Sequence, residues 1–292
     1  MSTHDSRRDS RQSGFGLIEV MVAMVLGLLV LGAAIAVFQS NQRTFNANEG
    51  QNRIQEGARV AYELMSNDIR AAGGSACSNL AKPDVEHALN ADEAALLTGS
   101  ITGNGNEFTV TSGDDSAYQV DSATTSTIVL TAGQVAKLSD AFKANDKLVL
   151  CSANHLYVVT ATNVNDASRT ITFSPATSVA ISSDSMAPPA TVAVARYRRT
   201  RWYLNNGSLS VQRDGAAGQQ VVNGVTGLNV SYLQRGGTGY TAAPTQWVDV
   251  IAVRVNLTLR GQRTTGGDVT VDGNNFITRT SANVASLRSR TL

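Results

Sequence analysis

One carboxylate, Glu19, stands inside an apolar run, GFGLIEVMVAMVLGLLVLGAAIAVF, that reaches from Gly14 to Phe38. A charged side chain at the centre of a membrane helix costs about 2.5–3.5 kcal/mol on insertion scales, so an acid kept in such a run calls for a counter-charge. Few other residues could do chemistry. Cys77 and Cys151 are the only two thiols. Two thiolates do not complete a tetrahedral zinc shell, and in an exported chain an even, low count points to one disulfide, with two separate buried thiols as the alternative. His155 lies close enough in sequence to Cys151 to suggest a Cys/His nucleophile pair, but a disulfide would remove the thiolate. Acids gather at Asp114 and Asp115, and again in DVTVDGNN, where Asp268, Asp272 and Asn274 could offer oxygens to calcium. The spacing of an EF-hand is absent there, and a turn rich in Asp, Gly and Asn explains the same letters, so no metal or cofactor is expected. RYRRTRWY, from Arg196 to Tyr203, mixes arginines and aromatics in the way that grips a nucleic-acid strand. It also reads as a strand entering a hairpin with its arginines on the wet face, and nucleic acid is not expected as a partner. No Gly-x-Ser-x-Gly elbow, phosphate loop or His-Glu-x-x-His helix occurs, so the chain is not expected to be an enzyme.

These residues must be held by something, and the composition limits what. The chain has 292 residues, enough for one or two domains, with a formal charge of +1 that gives no general pull toward nucleic acid or acidic lipid. It is 5% aromatic and 16% charged but rich in Gly, Ser, Thr, Asn, Ala and Val, which suits a β-rich body with many turns.

Arg7, Arg8 and Arg11 precede the apolar run, which by the positive-inside rule keeps that end in the cytoplasm and exports the rest. The 24 residues from Phe15 to Phe38 would span about 36 Å as a helix at about 1.5 Å per residue, enough to cross a bilayer. AIA at Ala34–Ala36 resembles the cut site of an ordinary secretory signal, but the run is longer than the apolar core of such a signal, which gains nothing from an acid. Residues 39–72 continue without proline, and Ile54, Ala58, Ala61, Met65 or Leu64, and Ile69 recur at helical spacing, so one long helix should run on to Gly73-Gly74. Strand-like segments follow, from EFTVTS and STIVLT through KLVLCS, HLYVVTAT, RTITFS and the long ATVAVARYRRTRWYL to WVDVIAVRVNLTLR and FITRT. Asn206-Gly207 marks a hairpin. A helix followed by strands means an α+β fold with an antiparallel sheet. The expected divisions are 1–14, 15–38, 39–74, a β-rich subregion over 75–190, and a final sheet over 191–292, with SSDSMAPPA at Ser182–Ala190 as the boundary.

GFGLIEV, with its basic leader, Gly-Phe junction and acid five residues into the following segment, resembles the class III signal of type IV pilins and type II secretion pseudopilins. The resemblance implies that a prepilin peptidase cuts after Gly14, that the new amino end at Phe15 is N-methylated, and that Glu19 answers such an amino end on a neighbouring subunit. It departs from many major pilins in that no proline precedes Pro83, which implies a straighter helix. Toward the other end, Val225, Leu228, Val230, Tyr232, Val253, Arg254, Val255 and Leu257 are similar to the final sheet of large minor pilins of the PilW type and of J-type pseudopilins. The first of these suits a chain of this length better. The implied fold is a pilin-like long helix packed on an antiparallel sheet, with a β-rich insertion. The implied partners are other minor pilins, the major pilin, the prepilin peptidase, the inner-membrane assembly platform and a large tip adhesin. The implied location is the inner membrane by a single pass with the body in the periplasm, and then the pilus. Lipid surrounds the helix before assembly.

Overall fold

The computed structural model describes residues 16–77, 81, 88–152, 155–178, 192–263 and 276–291. The α+β class read from the sequence is the class observed, one long N-terminal helix and then antiparallel sheets. By contacts the chain divides into two units, Met1–Gln51 with Gln262–Ile277 and Asn52–Gly261 with Thr278–Leu292.

Helix α1 is Leu17–Ala71, 55 residues without a proline. It stops where the sequence said it would. Gly73 takes φ +70°, a left-handed conformation in which a side chain would also meet Ser100 and the Ser289 hydroxyl. The chain leaving the helix is at once tied to the body: Gly73 donates its N–H to the Thr111 carbonyl at 2.9 Å, and Gly113 donates to the Gly74 carbonyl at 2.7 Å. Within the larger unit the helix buries Ile54, Ala58, Ala61, Tyr62, Met65 and Ile69, which lie at helical spacing and so share one stripe. Met65 rather than Leu64 belongs to that stripe, being 1% exposed against 39%. Gly57 lets the helix come close, since a Cβ there would stand 2.9 Å from Val222 and 3.3 Å from Leu259.

The strands are β1 (Ile101–Asn104), β2 (Glu107–Ala123), β3 (Thr127–Leu130), β4 (Lys147–Cys151), β5 (Leu156–Asn165), β6 (Thr170–Ser174), β7 (Ala193–Asn205), β8 (Ser208–Arg213), β9 (Gln219–Asn223), β10 (Val225–Gln234), β11 (Tyr240–Thr241), β12 (Val250–Arg263) and β13 (Phe276–Ser286). Nine of them follow the order β1-β2-β3-β6-β5-β4-β7-β8-β9, and β2 also pairs with β7. That extra pairing closes β2, β3, β6, β5, β4 and β7 into a six-stranded antiparallel barrel. Its inside is filled by Val120, Ile128, Leu130, Leu148, Val159, Ile171 and Phe173, with Leu138 and Phe142 from the short helix α3 (Leu138–Ala141) and its end joining the same core. A barrel of this size has room for packed side chains and none for a channel.

The two long strands β2 and β7 belong to both parts of the sheet. Their barrel halves meet at Ala117–Gln119 and Ala193–Ala195; beyond a register shift between Gly113 and Ala117 they pair again, Glu107–Gly113 against Tyr197–Tyr203. There β7 continues into β8 through Asn206-Gly207, both residues at positive φ as a tight hairpin turn requires. The remaining strands form a separate sheet of order β11-β10-β12-β13.

The expected boundary at 190 and 191 therefore does not divide the sheets. Strands β7, β8 and β9 belong with β1–β6 because β7 is hydrogen-bonded to both β2 and β4, and the second sheet begins only at Val225, after Gly224 turns the chain with φ +74°. The segment 182–190 itself lies outside the described residues. DEAALL forms helix α2 (Ala91–Leu97), opened by a capping box between Asn90 and Glu93. Leu96 packs it on the outer barrel wall against Val149, Leu156, Val158 and Tyr197. Buried Glu93 also accepts the Val158 N–H at 3.0 Å, so its carboxylate is used to hold helix to barrel.

Candidate membrane anchor and assembly helix

The first stretch of α1 is apolar on every side, and side-chain exposure there is complete: residues 16–46 are all exposed. Leu17 is 78% exposed, Leu28 68% and Phe38 63%. The helix is long and apolar enough to cross a membrane, and none of its apolar window is buried. Leaving that much hydrocarbon in water would forfeit about 1.5–3 kcal/mol for each large side chain, so a lipid or protein surround is required. Glu19 lies in the first turn of this helix. Between it and Arg43 the sequence has no Lys, Arg or His, so any cation that meets it inside an apolar surround comes from outside this stretch. Gly14 and Phe15 lie outside the described residues.

Where α1 passes under the body, polar side chains as well as apolar ones fix it. The Trp202 indole Nε1–H donates to the Asp68 carboxylate at 2.8 Å, and Trp202 is itself fully buried. Burial pushes the Asp68 carboxyl above the usual carboxylate range, against the lowering effect of the Trp202 hydrogen bond and of Arg213 and Arg198, while Asp115 adds to the rise. The Tyr62 hydroxyl donates to the Ser281 carbonyl of β13 and accepts the Leu257 N–H of β12 at 3.3 Å, so one side chain ties the helix to two strands. Ser289, in the last short helix α4 (Arg288–Thr291), donates to the Ala72 carbonyl at 2.7 Å. None of these ties was read from the sequence. Asp68 next to Ile69 offers a faint signal, an acid beside the buried stripe, but its tryptophan partner is 134 residues away.

Cys77 and Cys151 form a disulfide with Cα atoms 5.5 Å apart, joining the chain just after α1 to barrel strand β4. Cys151 is therefore no nucleophile, and the neighbouring His155 ring instead stacks near Tyr157 at 6.3 Å. Three of the four arginines of β7 have carboxylates close by. Asp114, in the irregular stretch of β2, takes Arg198 at 3.0 Å and Arg196 at 3.3 Å, and Glu107 takes Arg201, whose guanidinium also lies over Tyr203 at 4.6 Å. Among the described residues no cluster of His, Cys, Asp or Glu could hold a metal ion. Asp268, Asp272 and Asn274, and also His87, lie outside the described residues.

Residues 9–35 match the family described as the prokaryotic N-terminal methylation motif. The matched span contains the Gly14-Phe15 junction and Glu19, so the chain carries a prepilin-type N-terminal signal, and signal and exposed apolar helix together fit a membrane-anchored chain. No curated protein matches the chain. Among solved structures it is similar to a type IV-like pilin from Thermus thermophilus, at 15% identity over 51% of this chain and 87% of that one, with a TM-score of 0.27.

Proposed function

We propose that the chain is a minor pilin. In this reading residues 1–14 are a leader removed by a prepilin peptidase, Phe15 becomes the N-methylated amino end, and residues 15–38 hold the protein in the inner membrane while its body folds in the periplasm. It then joins other minor pilins and the major pilin through the assembly platform. There it primes pilus growth, with the bulky barrel favouring a place at the tip beside an adhesin over one in a continuous shaft. Twitching, adhesion or uptake would be served by the pilus so started. The work is non-covalent, and no catalytic role is assigned to any residue.

The observation that carries this reading is the single acid on a wholly exposed apolar helix within the methylation motif. In a lone subunit both the Glu19 carboxylate and a free amino end at Phe15 want water. Between two subunits shifted along the helix axis they neutralise one another, which favours assembly and sets its register. Changing Glu19→Ala or Glu19→Lys should leave membrane insertion intact and remove the protein from sheared pili. Recovery of either variant in pili at wild-type amounts would overturn the reading.

A further inference from the structure

Among the described strands four stand at sheet edges, and they are not alike. The nine-stranded order ends in β1 and β9, of four and five residues, and the smaller sheet ends on one side in β11, of two. Its other side ends in β13, of eleven residues. A short edge offers another chain little to pair with, and β1 is tied off further where Val230 donates its N–H to the Gly105 carbonyl just past it at 2.9 Å. A long edge is a ready template for a further strand unless something guards or covers it.

Three contacts fix how β13 lies on β12. Leu287 donates its N–H to the Ile251 carbonyl at 3.0 Å, the Thr258 and Thr280 hydroxyls meet at 3.1 Å, and the Tyr62 hydroxyl stands between the Leu257 N–H and the Ser281 carbonyl. All three agree on one antiparallel register, so no bulge interrupts the pairing from Thr280 to Leu287. In an antiparallel pair alternate residues turn both backbone groups to the neighbouring strand. Ser281 and Leu287 are two of these, so Thr278, Thr280, Ala282, Val284 and Ser286 turn theirs to the open side. Within that outward set, among the described residues, only the Val284 N–H is bonded, to the side chain of its own neighbour Asn283 at 2.7 Å. Thr280, Ala282, Val284 and Ser286 are all exposed, Val284 by 46%.

Residues 278–286 contain no proline and no lysine, two residues that commonly guard an edge. The one charge among them is Arg279, and Arg288 stands just past the other end of the strand. Both are exposed, and among the described residues neither forms an ion pair. Behind them β12 adds Arg254 and Arg260 and no acid. A second β13 would bring further arginines and no carboxylate, so this edge repels its own copy, whereas an acidic strand meets no such cost. We propose that the open side of β13 takes an extended, acidic segment of a partner protein as a further strand of the smaller sheet. Main-chain bonds to the outward groups hold it, and carboxylates toward its ends meet Arg279 and Arg288. The joint lies on the body alone, so it stands whether or not the apolar helix enters a pilus.

The test uses the full-length chain in detergent and two fluorescently labelled peptides, EVTVTVTVE and its counterpart with lysine at both ends. Anisotropy titrations should show saturable binding of the acidic peptide, at least about tenfold tighter than that of the lysine peptide. Ala282→Pro removes an outward N–H and leaves the bonds to β12 whole, and it should weaken binding by at least about tenfold. Arg279→Glu combined with Arg288→Glu should exchange the preference between the two peptides. Circular dichroism checks that each variant is folded, and if Ala282→Pro unfolds the body the charge reversal decides alone. No saturable binding of the acidic peptide below about 1 mM, equal binding of the two peptides, or undiminished binding by a folded Ala282→Pro variant would overturn the proposal. So would self-association of the unaltered chain, followed by sedimentation, that Ala282→Pro abolishes, because the edge would then belong to a second copy.

Discussion

The two ends of α1 share one unbroken backbone and differ in what their side chains meet. Toward its start, Leu17, Leu28 and Phe38 stand in the open, and no face is more polar than another apart from the one acid. Toward its end, Met65 and Ile69 are 1% exposed while Glu63 and Arg70 stay outside, and Trp202 and two strands hold the stripe by hydrogen bonds as well as by packing. An all-round apolar helix takes its stability from its surround, an amphipathic one from the sheet it covers. Substitutions should therefore affect folding of the body at one end and only association at the other.

The largest expected effect sharpens that contrast from the body's side. Trp202→Ala leaves a cavity and an unpaired Asp68, and should lower the stability of the detergent-solubilised protein by about 3–5 kcal/mol in denaturant titrations followed by circular dichroism. Met65→Ala should cost about 2–5 kcal/mol in the same titration. Replacing both cysteines by serine frees a loop with a sequence separation of 74 and should cost about 2–5 kcal/mol; unchanged stability would mean that the bridge does not hold the barrel.

A smaller effect concerns pH. The raised Asp68 carboxyl holds its proton more tightly in the folded state than in the unfolded one, so the stability it contributes is complete below its ordinary value of 3.8 and falls away as pH rises through the raised folded value. Asp68→Asn keeps an oxygen for the indole N–H and should flatten stability against pH over that acid window, measured as unfolding midpoints at successive pH values. The smallest effect belongs to the helix start. Leu29→Ala should change body stability by less than about 0.5 kcal/mol, and a loss like that of Met65→Ala would erase the distinction between the two ends.

Much of this was legible before the structure. The helix and its glycine stop, the Asn206-Gly207 hairpin and the pairing of Cys77 with Cys151 all follow from local patterns or from a two-thiol count. What escaped was long-range. GDDSAYQVDSA lies between the strand candidates EFTVTS and STIVLT and belonged to neither, yet it is most of the 17-residue strand β2, carried by β7 on one side and β3 on the other. The barrel closes only through that strand, and so closure was invisible too. Asp114 stood out only as half of an acidic pair, and it is the anion for two arginines that looked like a nucleic-acid grip. Each residue carried half of a pair whose other half lay some 80 positions away, 82 for Asp114 and Arg196.

Where the mature protein begins decides most, and intact and N-terminal peptide mass analysis of the membrane-extracted chain answers that directly. Cleavage after Gly14 with a singly methylated Phe15 is the predicted result. A chain that retains Met1, or one that begins at Val37 after an ordinary signal cut, would contradict it.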